Sequence, residues 1–210
     1  MIIVIDGYSA TGKSTLADLL AKKIGFRHLN SGLVFRAISY NLLTNGIDKS
    51  NFQDNLERIK ELTQQFHIDL EELEKNILKL KAPEVSELGP QIAKLPFIRE
   101  RVAEVLRSAA TKSNIIVEGR DIGTVLFPQA DIKFFFKADT TIRANRLGRE
   151  RNSTDFEAMK IEIETRDRED ETREISPLKR ADDAIDIDTS HITVEETLEL
   201  LERFVNEIKK

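Results

Sequence analysis

The chain has 210 residues, 40% of them apolar and 33% charged, with a formal net charge of −5, which suits one domain and argues against broad nucleic-acid binding. It has no cysteine, which excludes a disulfide framework and a thiolate metal site, and its three histidines (His28, His67, His191) are scattered without metal-ligand spacing. No apolar run nears the roughly 18 residues of a membrane span, and the opening MIIVID has neither a basic stretch nor a cleavage site, so the expectation is a soluble, cytoplasmic monomer without a membrane partner.

Ile2 to Ile5 is a β-branched apolar run that ends at Asp6, the pattern of a strand buried on both faces. A small-residue loop follows. Then Leu16, Leu19, Leu20 and Ile24 fall at helical spacing, with Gly25 to close the helix. FRHL (26–29) reads as a short strand, 32–45 as a helix and 52–66 as an amphipathic helix. Residues 66–80 fit either more helix or a small hairpin around EELEKN, and the hairpin is the expectation. Pro83 and Pro96 open helices at about 84–94 and 97–110. Strands are expected at 114–119, 131–138 and 184–188, charged helices at 140–150 and 154–170, and a final amphipathic helix from Thr193. Alternating strands and helices imply an α/β fold with a parallel sheet wrapped by helices. The stretches 47–95 and 145–180 are the least core-like. Both read as insertions near the carboxyl ends of the strands, where such sheets bind ligands.

The loop GYSATGKST (7–15) places Gly7, Gly12, Lys13 and Ser14 in the pattern G-x-x-x-x-G-K-[ST], between a strand and a helix. Small residues let backbone N–H groups turn inward around phosphate oxygens, and the helix N-terminus adds partial positive charge. Lys13 can neutralise β- and γ-phosphates, and the Ser14 hydroxyl can ligate Mg²⁺. Gly7, Ala10, Thr11, Gly12, Lys13, Ser14 and Thr15 are therefore candidate contacts to ATP, the expected phosphoryl donor, with Mg²⁺ at Ser14. The chain contains neither an N-K-x-D base-reading element nor an L-S-G-G signature. A small-molecule kinase remains, and it needs a second anion site.

Arginines are the candidates for that site. Arg36 follows Ser31 and Gly32 by one helical turn, and Arg120 and Asp121 lie just past a buried strand. Arg166, Asp170 and Arg173 are spaced i, i+4, i+7, so a helix would put them on one face. Arg99 is a further, isolated candidate. Guanidinium groups suit the clamping of two repelling polyanions. A phosphate acceptor is already ionised at pH 7, so positioning and charge neutralisation can carry the transfer without a general base. Arg143, Arg146, Arg149 and Arg151 mark a basic helical lid at about 143–175, with Arg146 a further ATP contact. Two other readings stay open: a kinase for another nucleoside monophosphate or phosphorylated metabolite, and a non-catalytic ATP-binding module gripping nucleic acid through 143–151.

IDGYSATGKST, LNSGLVFRA, PFIRERV, VEGRDIGTVLFPQADIKFFFKA, RDREDETR, SPLKRADDAIDIDTS and TVEETLE occur in this order along nearly the whole chain. Together they resemble the bacterial cytidylate kinases, and the segment GRDIGTVLFP is the most specific of them. The resemblance implies a nucleoside monophosphate kinase fold: a P-loop core (1–46, 96–140, 181–210), a monophosphate-binding insertion at about 47–95 and the lid. It implies transfer of a phosphoryl group from ATP to CMP or dCMP with Mg²⁺. It assigns Arg36, Arg120 and Arg173 to the acceptor phosphate, Ser31, Arg99, Asp121 and Asp170 to the acceptor's base and sugar, and Arg166 to the transferring phosphate. Lys13, Arg120, Arg166 and Arg173 are then the catalytic set.

Some residues depart from the family pattern. Tyr8 stands where the family usually has Pro, Ala10 where it has Gly, and Asn30 where it has Asp. Ala10 is expected to take common loop angles. The insertion is short and lacks an arginine usually found before a PEVS-like segment. Pro90 occupies a position that is commonly a serine contacting cytosine, and a lost hydroxyl weakens discrimination by hydrogen bonding.

Overall fold

The computed structural model describes residues 1–208. Packing divides the chain into two compact units: Met1–Leu29 with the chain from Ser113 onward, and Asn30–Lys112.

The apolar run at the N-terminus forms β1 (Ile2–Gly7), the middle strand of a five-stranded sheet. The sheet order is β2 (Arg27–Asn30), β3 (Ile115–Gly119), β1, β4 (Ile132–Lys137), β5 (Ile185–Asp188). The β1–β3, β1–β4 and β4–β5 pairs are parallel. Because successive residues along a strand alternate faces, Ile3 and Ile5 of β1 join Phe134 and Phe136 of β4 in one apolar layer. Leu16 and Leu20 of α1 (Lys13–Ile24) and Leu201 and Val205 of α10 (Val194–Ile208) cover that layer. The opposite face carries Asp6 and Lys133, both buried. There the Lys133 ammonium donates to Pro128 O at 2.6 Å and to Asp183. One turn of π-helix, Ile122–Leu126, lies over Asp6.

Local signals account for the helix ends. Gly25 closes α1 at φ 72°, donating its N–H to Ala21 O, with Lys22 and Lys23 in the last turn. In the first unit α8 (Thr140–Arg151) and α9 (Phe156–Thr172) pack through Ala144, Leu147, Met159 and Ile163. Asp155 caps α9 by accepting from Ala158 N at 3.0 Å.

The second unit is helical. Asn30 caps α2 (Ser31–Thr44) by accepting from Leu33 N at 3.1 Å. After a 3₁₀ turn at Phe52–Asn55 come α3 (Leu56–Gln65), α4 (Leu70–Lys75), α5 (Ile77–Leu80), α6 (Pro83–Ile92) and α7 (Pro96–Ala110), and α2 packs against all five. The expected 47–95 insertion lies inside this unit, whose packing also takes in α2 and α7.

The expected hairpin at 66–80 is not formed. The N–H groups of Leu73, Asn76 and Leu80 bond back to the carbonyls of Asp69, Glu72 and Asn76, each at 3.1 Å. Leu73, Ile77 and Leu80 are spaced i, i+4, i+7, and Leu73 and Leu80 are buried. That period belongs to a helix, and it prevails over the turn-like EELEKN.

Gly7 ends β1 at φ 142°. A Cβ there would stand 2.1 Å from the carbonyl oxygen of Phe136 on the paired strand β4. Neither backbone can yield without breaking the β1–β4 ladder. Gly7→Ala should therefore destabilise the protein by roughly 3 kcal/mol or more. Urea unfolding checks this, and a midpoint within error of the wild type contradicts it.

Candidate active site

The register of β1 on β3 sets Asp6 opposite Gly119. The loop after β1 and the Arg120–Asp121 segment after β3 thus leave neighbouring strands side by side, at the reversal of strand order. Three loop residues have positive φ: Gly7 at 142°, Ala10 at 55° and Gly12 at 89°. Ala10 therefore departs from the common loop angles expected of it. A left-handed alanine costs about 1–2 kcal/mol. Its methyl group packs against the Ala144, Leu147, Met159 and Ile163 cluster, which offsets part of that cost.

Lys13, at the start of α1, is only 6% exposed. Its ammonium donates to the carbonyl of Tyr8 and, at 3.4 Å, to Thr11 Oγ1. Burial, with the Arg120 charge next, holds its pKa well below the ordinary lysine value. Ser14 donates its hydroxyl proton to Glu118 Oε2 at 2.8 Å, and Glu118 Oε1 lies 3.1 Å from His28 Nε2. A serine oriented this way keeps an oxygen lone pair for a cation.

Arg120, Asp121, Asp170 and Arg173 come together as alternating charges. Arg120 Nε donates to Asp170 Oδ2 at 2.7 Å, and its Nη2 donates to the Ser9 hydroxyl of the loop at 3.1 Å. Arg173 donates to Asp170 Oδ1 at 3.2 Å and to Asp121 Oδ1 at 2.9 Å. Arg166 stands on the same stretch of α9, half-exposed, 3.9 Å from Glu162.

The basic run of α8 separates into different roles. Arg143 is 6% exposed and lies beneath the loop. It donates to Ser9 O at 3.3 Å and to Asp167, while Asp167 Oδ1 accepts from Ser9 N at 3.2 Å. Arg146 donates to the Thr189 hydroxyl at 3.0 Å and to its carbonyl at 2.6 Å, and Thr189 in turn donates to Thr11 O at 2.9 Å. Arg149 is exposed, and Arg151 pairs with Glu162 at 2.5 Å. Tyr8 is fixed on several sides: its ring meets Phe135 edge-on at 5.7 Å, the Arg143 guanidinium lies 5.4 Å from its centroid, and its hydroxyl donates to Glu171 Oε1 at 2.8 Å. Burial, then the hydrogen bond to Glu171, pushes its pKa up to about 12.

Ser31, Arg36 and Arg99 belong to the second unit. Ser31 is the buried first residue of α2, and Arg36 lies further along the same helix. Arg99 of α7 donates to Ala93 O at 3.1 Å and its guanidinium lies 5.7 Å from the Phe35 ring centroid. Pro90 sits inside α6, where it offers the helix no N–H.

Sequence reasoning missed Glu118, Ser9, Asp167 and Thr189. The signal for Glu118 is an acid at the carboxyl end of an otherwise apolar strand. Asp167 and Thr189 have no comparable local signature.

A family model described as "Cytidylate kinase" matches residues 3–209. The chain belongs to the cytidylate kinase family. Family relatives include the cytidylate kinase of Thermotoga maritima, 37% identical over 98% of this chain and 96% of the relative. That of Bacteroides fragilis is 38% identical over 95% of this chain and 93% of the relative. The fold is also that of the shikimate kinase of Bacteroides thetaiotaomicron, with a TM-score of 0.53 at 13% identity over 98% of both chains. Family and fold together make the protein a phosphotransferase with a P-loop α/β architecture. Among the described residues no helix is long and apolar enough to cross a membrane.

Asp6 gives this family member a pH signature. Its pKa rises from 3.8 to about 6, because burial outweighs the N–H donations from Gly123 and Ile122. The folded state thus binds the Asp6 proton more tightly than the unfolded chain. This contribution is fully present below pH 4 and is lost as pH rises through 6. From pH 5 to 7 it falls by about 1 kcal/mol. Urea unfolding at both pH values should show that increment in the wild type and not in Asp6→Asn. Equal slopes in the two proteins overturn the assignment.

Proposed function

We propose that the protein transfers the γ-phosphoryl group of ATP directly to CMP or dCMP, giving ADP and CDP or dCDP. One observation carries this reading: two arginines and two aspartates form a chain of ion pairs bonded, through Arg120, to Ser9 of the phosphate loop. Such an arginine cluster next to a P-loop suits a second phosphate rather than water or a neutral alcohol.

In this reading the loop amides and Lys13 hold the β- and γ-phosphates, which give the buried ammonium a direct counter-charge. Arg120 and Arg173 orient the acceptor phosphate in line with the γ-phosphorus and oppose the repulsion between the two anions. Asp121 and Asp170 hold the arginines and face the acceptor's sugar and base. Arg166 serves the transferring phosphate and Arg146 the donor side. On the second unit, Ser31, Arg36 and Arg99 keep the acceptor contacts that the resemblance implies for them. The acceptor oxygen is ionised at neutral pH, so no proton has to be removed before attack.

The donor set fits Mg²⁺ that arrives with the nucleotide. Ser14 supplies a hydroxyl and Glu118 a carboxylate, and among the described residues no group of three His, Cys, Asp or Glu is arranged to hold a metal alone. When bound, Mg²⁺ supplies charge neutralisation at the β- and γ-phosphates. Glu118 accepts a hydrogen bond from the Ser14 hydroxyl, which leaves a lone pair on the serine oxygen for the cation.

The α8–α9 segment acts as the lid that excludes water during transfer. Pro90 favours a second reading, a different nucleoside monophosphate as acceptor, because no hydroxyl is available there to bond cytosine. A coupled ADP assay with ATP, Mg²⁺ and CMP, dCMP, UMP or AMP separates the two. CMP and dCMP should be the best acceptors, and absence of transfer to any pyrimidine monophosphate rejects the proposal. Arg120→Ala should lower kcat roughly 100-fold or more while the urea midpoint moves little. Wild-type turnover in that variant removes Arg120 from the reaction.

A further inference from the structure

Two adjacent faces of α9 meet different partners. Arg166 and Asp170 lie on one, leading to Arg173 just past the helix end; of these, Asp170 meets Arg120 and Arg173 meets Asp121. Ile163, Asp167 and Glu171, spaced i, i+4, i+8, lie on the other and meet the phosphate loop. Glu171 accepts from the Tyr8 hydroxyl, Asp167 accepts from the Ser9 amide, and Ala10 packs against the cluster containing Ile163. Loop residues 8, 9 and 10 thus run down the helix against 171, 167 and 163. All these contacts lie within the first unit.

We propose that Tyr8 is a positioning residue, whose hydroxyl registers the phosphate loop against the end of α9 and so couples the donor site to Asp170 and Arg173. The argument is geometric. Phe135 and Arg143 hold the Tyr8 ring from two directions, so its hydroxyl loses little freedom in bonding Glu171. Glu171 directly follows Asp170, whose carboxylate binds both Arg120 and Arg173. A small shift of this last turn of α9 moves the carboxylate that sets both guanidinium groups. Of the three loop contacts, the Tyr8–Glu171 bond is the one nearest that turn. It joins two side chains that can be changed without replacing Lys13 or any member of the Arg120–Asp170–Arg173–Asp121 chain.

This inference rests on the proposed kinase reading, and its test has one arm that does not. Hydrogen exchange of residues 167–173 is measured with and without a non-hydrolysable ATP analogue. The analogue should slow exchange in the wild type. The slowing should shrink roughly three- to tenfold in Tyr8→Phe and in Glu171→Ala, the range expected for one part-exposed hydrogen bond to a carboxylate. Glu171 is exposed, so its replacement leaves the core intact. The second arm measures the Kd of CMP with and without the analogue. The ratio of the two should fall by a similar factor in each single variant and no further in the double variant. Glu171→Gln, which keeps an acceptor oxygen, should stay within about twofold of the wild type. Unchanged exchange and ratios, or losses in the double variant that simply multiply, overturn the proposal. Loss of CMP binding in the wild type with the exchange effect intact would reject the acceptor and keep the tie between loop and helix.

Discussion

The pairing of Asp6 with Gly119 across β1 and β3 is the constraint on which the site depends. Slipping that register by one residue would turn Ile3 and Ile5 out of the apolar layer. The slip would also carry the Asp6 carboxylate away from the Ile122 and Gly123 amides into that layer, and the cost of burying it without partners locks the alignment. The alignment fixes where Gly7 and Arg120 emerge. The packing of β-branched residues, remote from any chemistry, therefore sets the distance between the lysine of the loop and the arginine of the neighbouring strand.

Placing that many cations together is unfavourable, and the carboxylates answer it. Asp170 is shared by Arg120 and Arg173, Asp121 takes the second arm of Arg173, and Asp167 takes Arg143. Each pair is partly buried, and the side chains of Arg120 and Asp170 are 21% and 22% exposed. Ion pairs that must give up water in this way add little net stability by themselves. Their effect is to hold planar guanidinium groups in fixed directions, which lowers the ordering cost of binding an anion. A net charge of −5 is compatible with polyanion binding for this reason: the cations are concentrated and oriented, while much of the acidity lies elsewhere or holds them in place.

Much of the architecture can be read from the chain because its strands are short apolar runs bounded by glycine or charge, as in IIVIDG and IIVEG. The segment 66–80 resists such reading: it is too short for periodicity to outweigh turn-forming residues until its burial is known. The loop is legible because its glycine and lysine spacing is set by one task. The grouping of Arg120, Asp121, Asp170 and Arg173 follows from strand-end position and helical spacing. Glu118 and Ser9 are harder, since one reads as strand and the other as loop filler. Their importance comes from partners 104 and 111 residues away in sequence, a separation that local pattern does not encode.

Arg143 shows why a charge run is a weak guide to a lid. By composition it equals Arg146, Arg149 and Arg151. By position it differs, since Arg143 lies on the face of α8 that buries Ala144, Leu147 and Gly148. A long side chain on that face must carry its guanidinium through the apolar layer to polar partners on the far side. The phosphate loop and α9 supply them, through the Ser9 carbonyl and through Asp167, which also receives the Ser9 amide. Arginine suits this position because its fork of donors reaches Ala138, Ser9, Asp167 and Thr140 together. Arg143 is therefore a buried tie that joins α8, α9 and the phosphate loop.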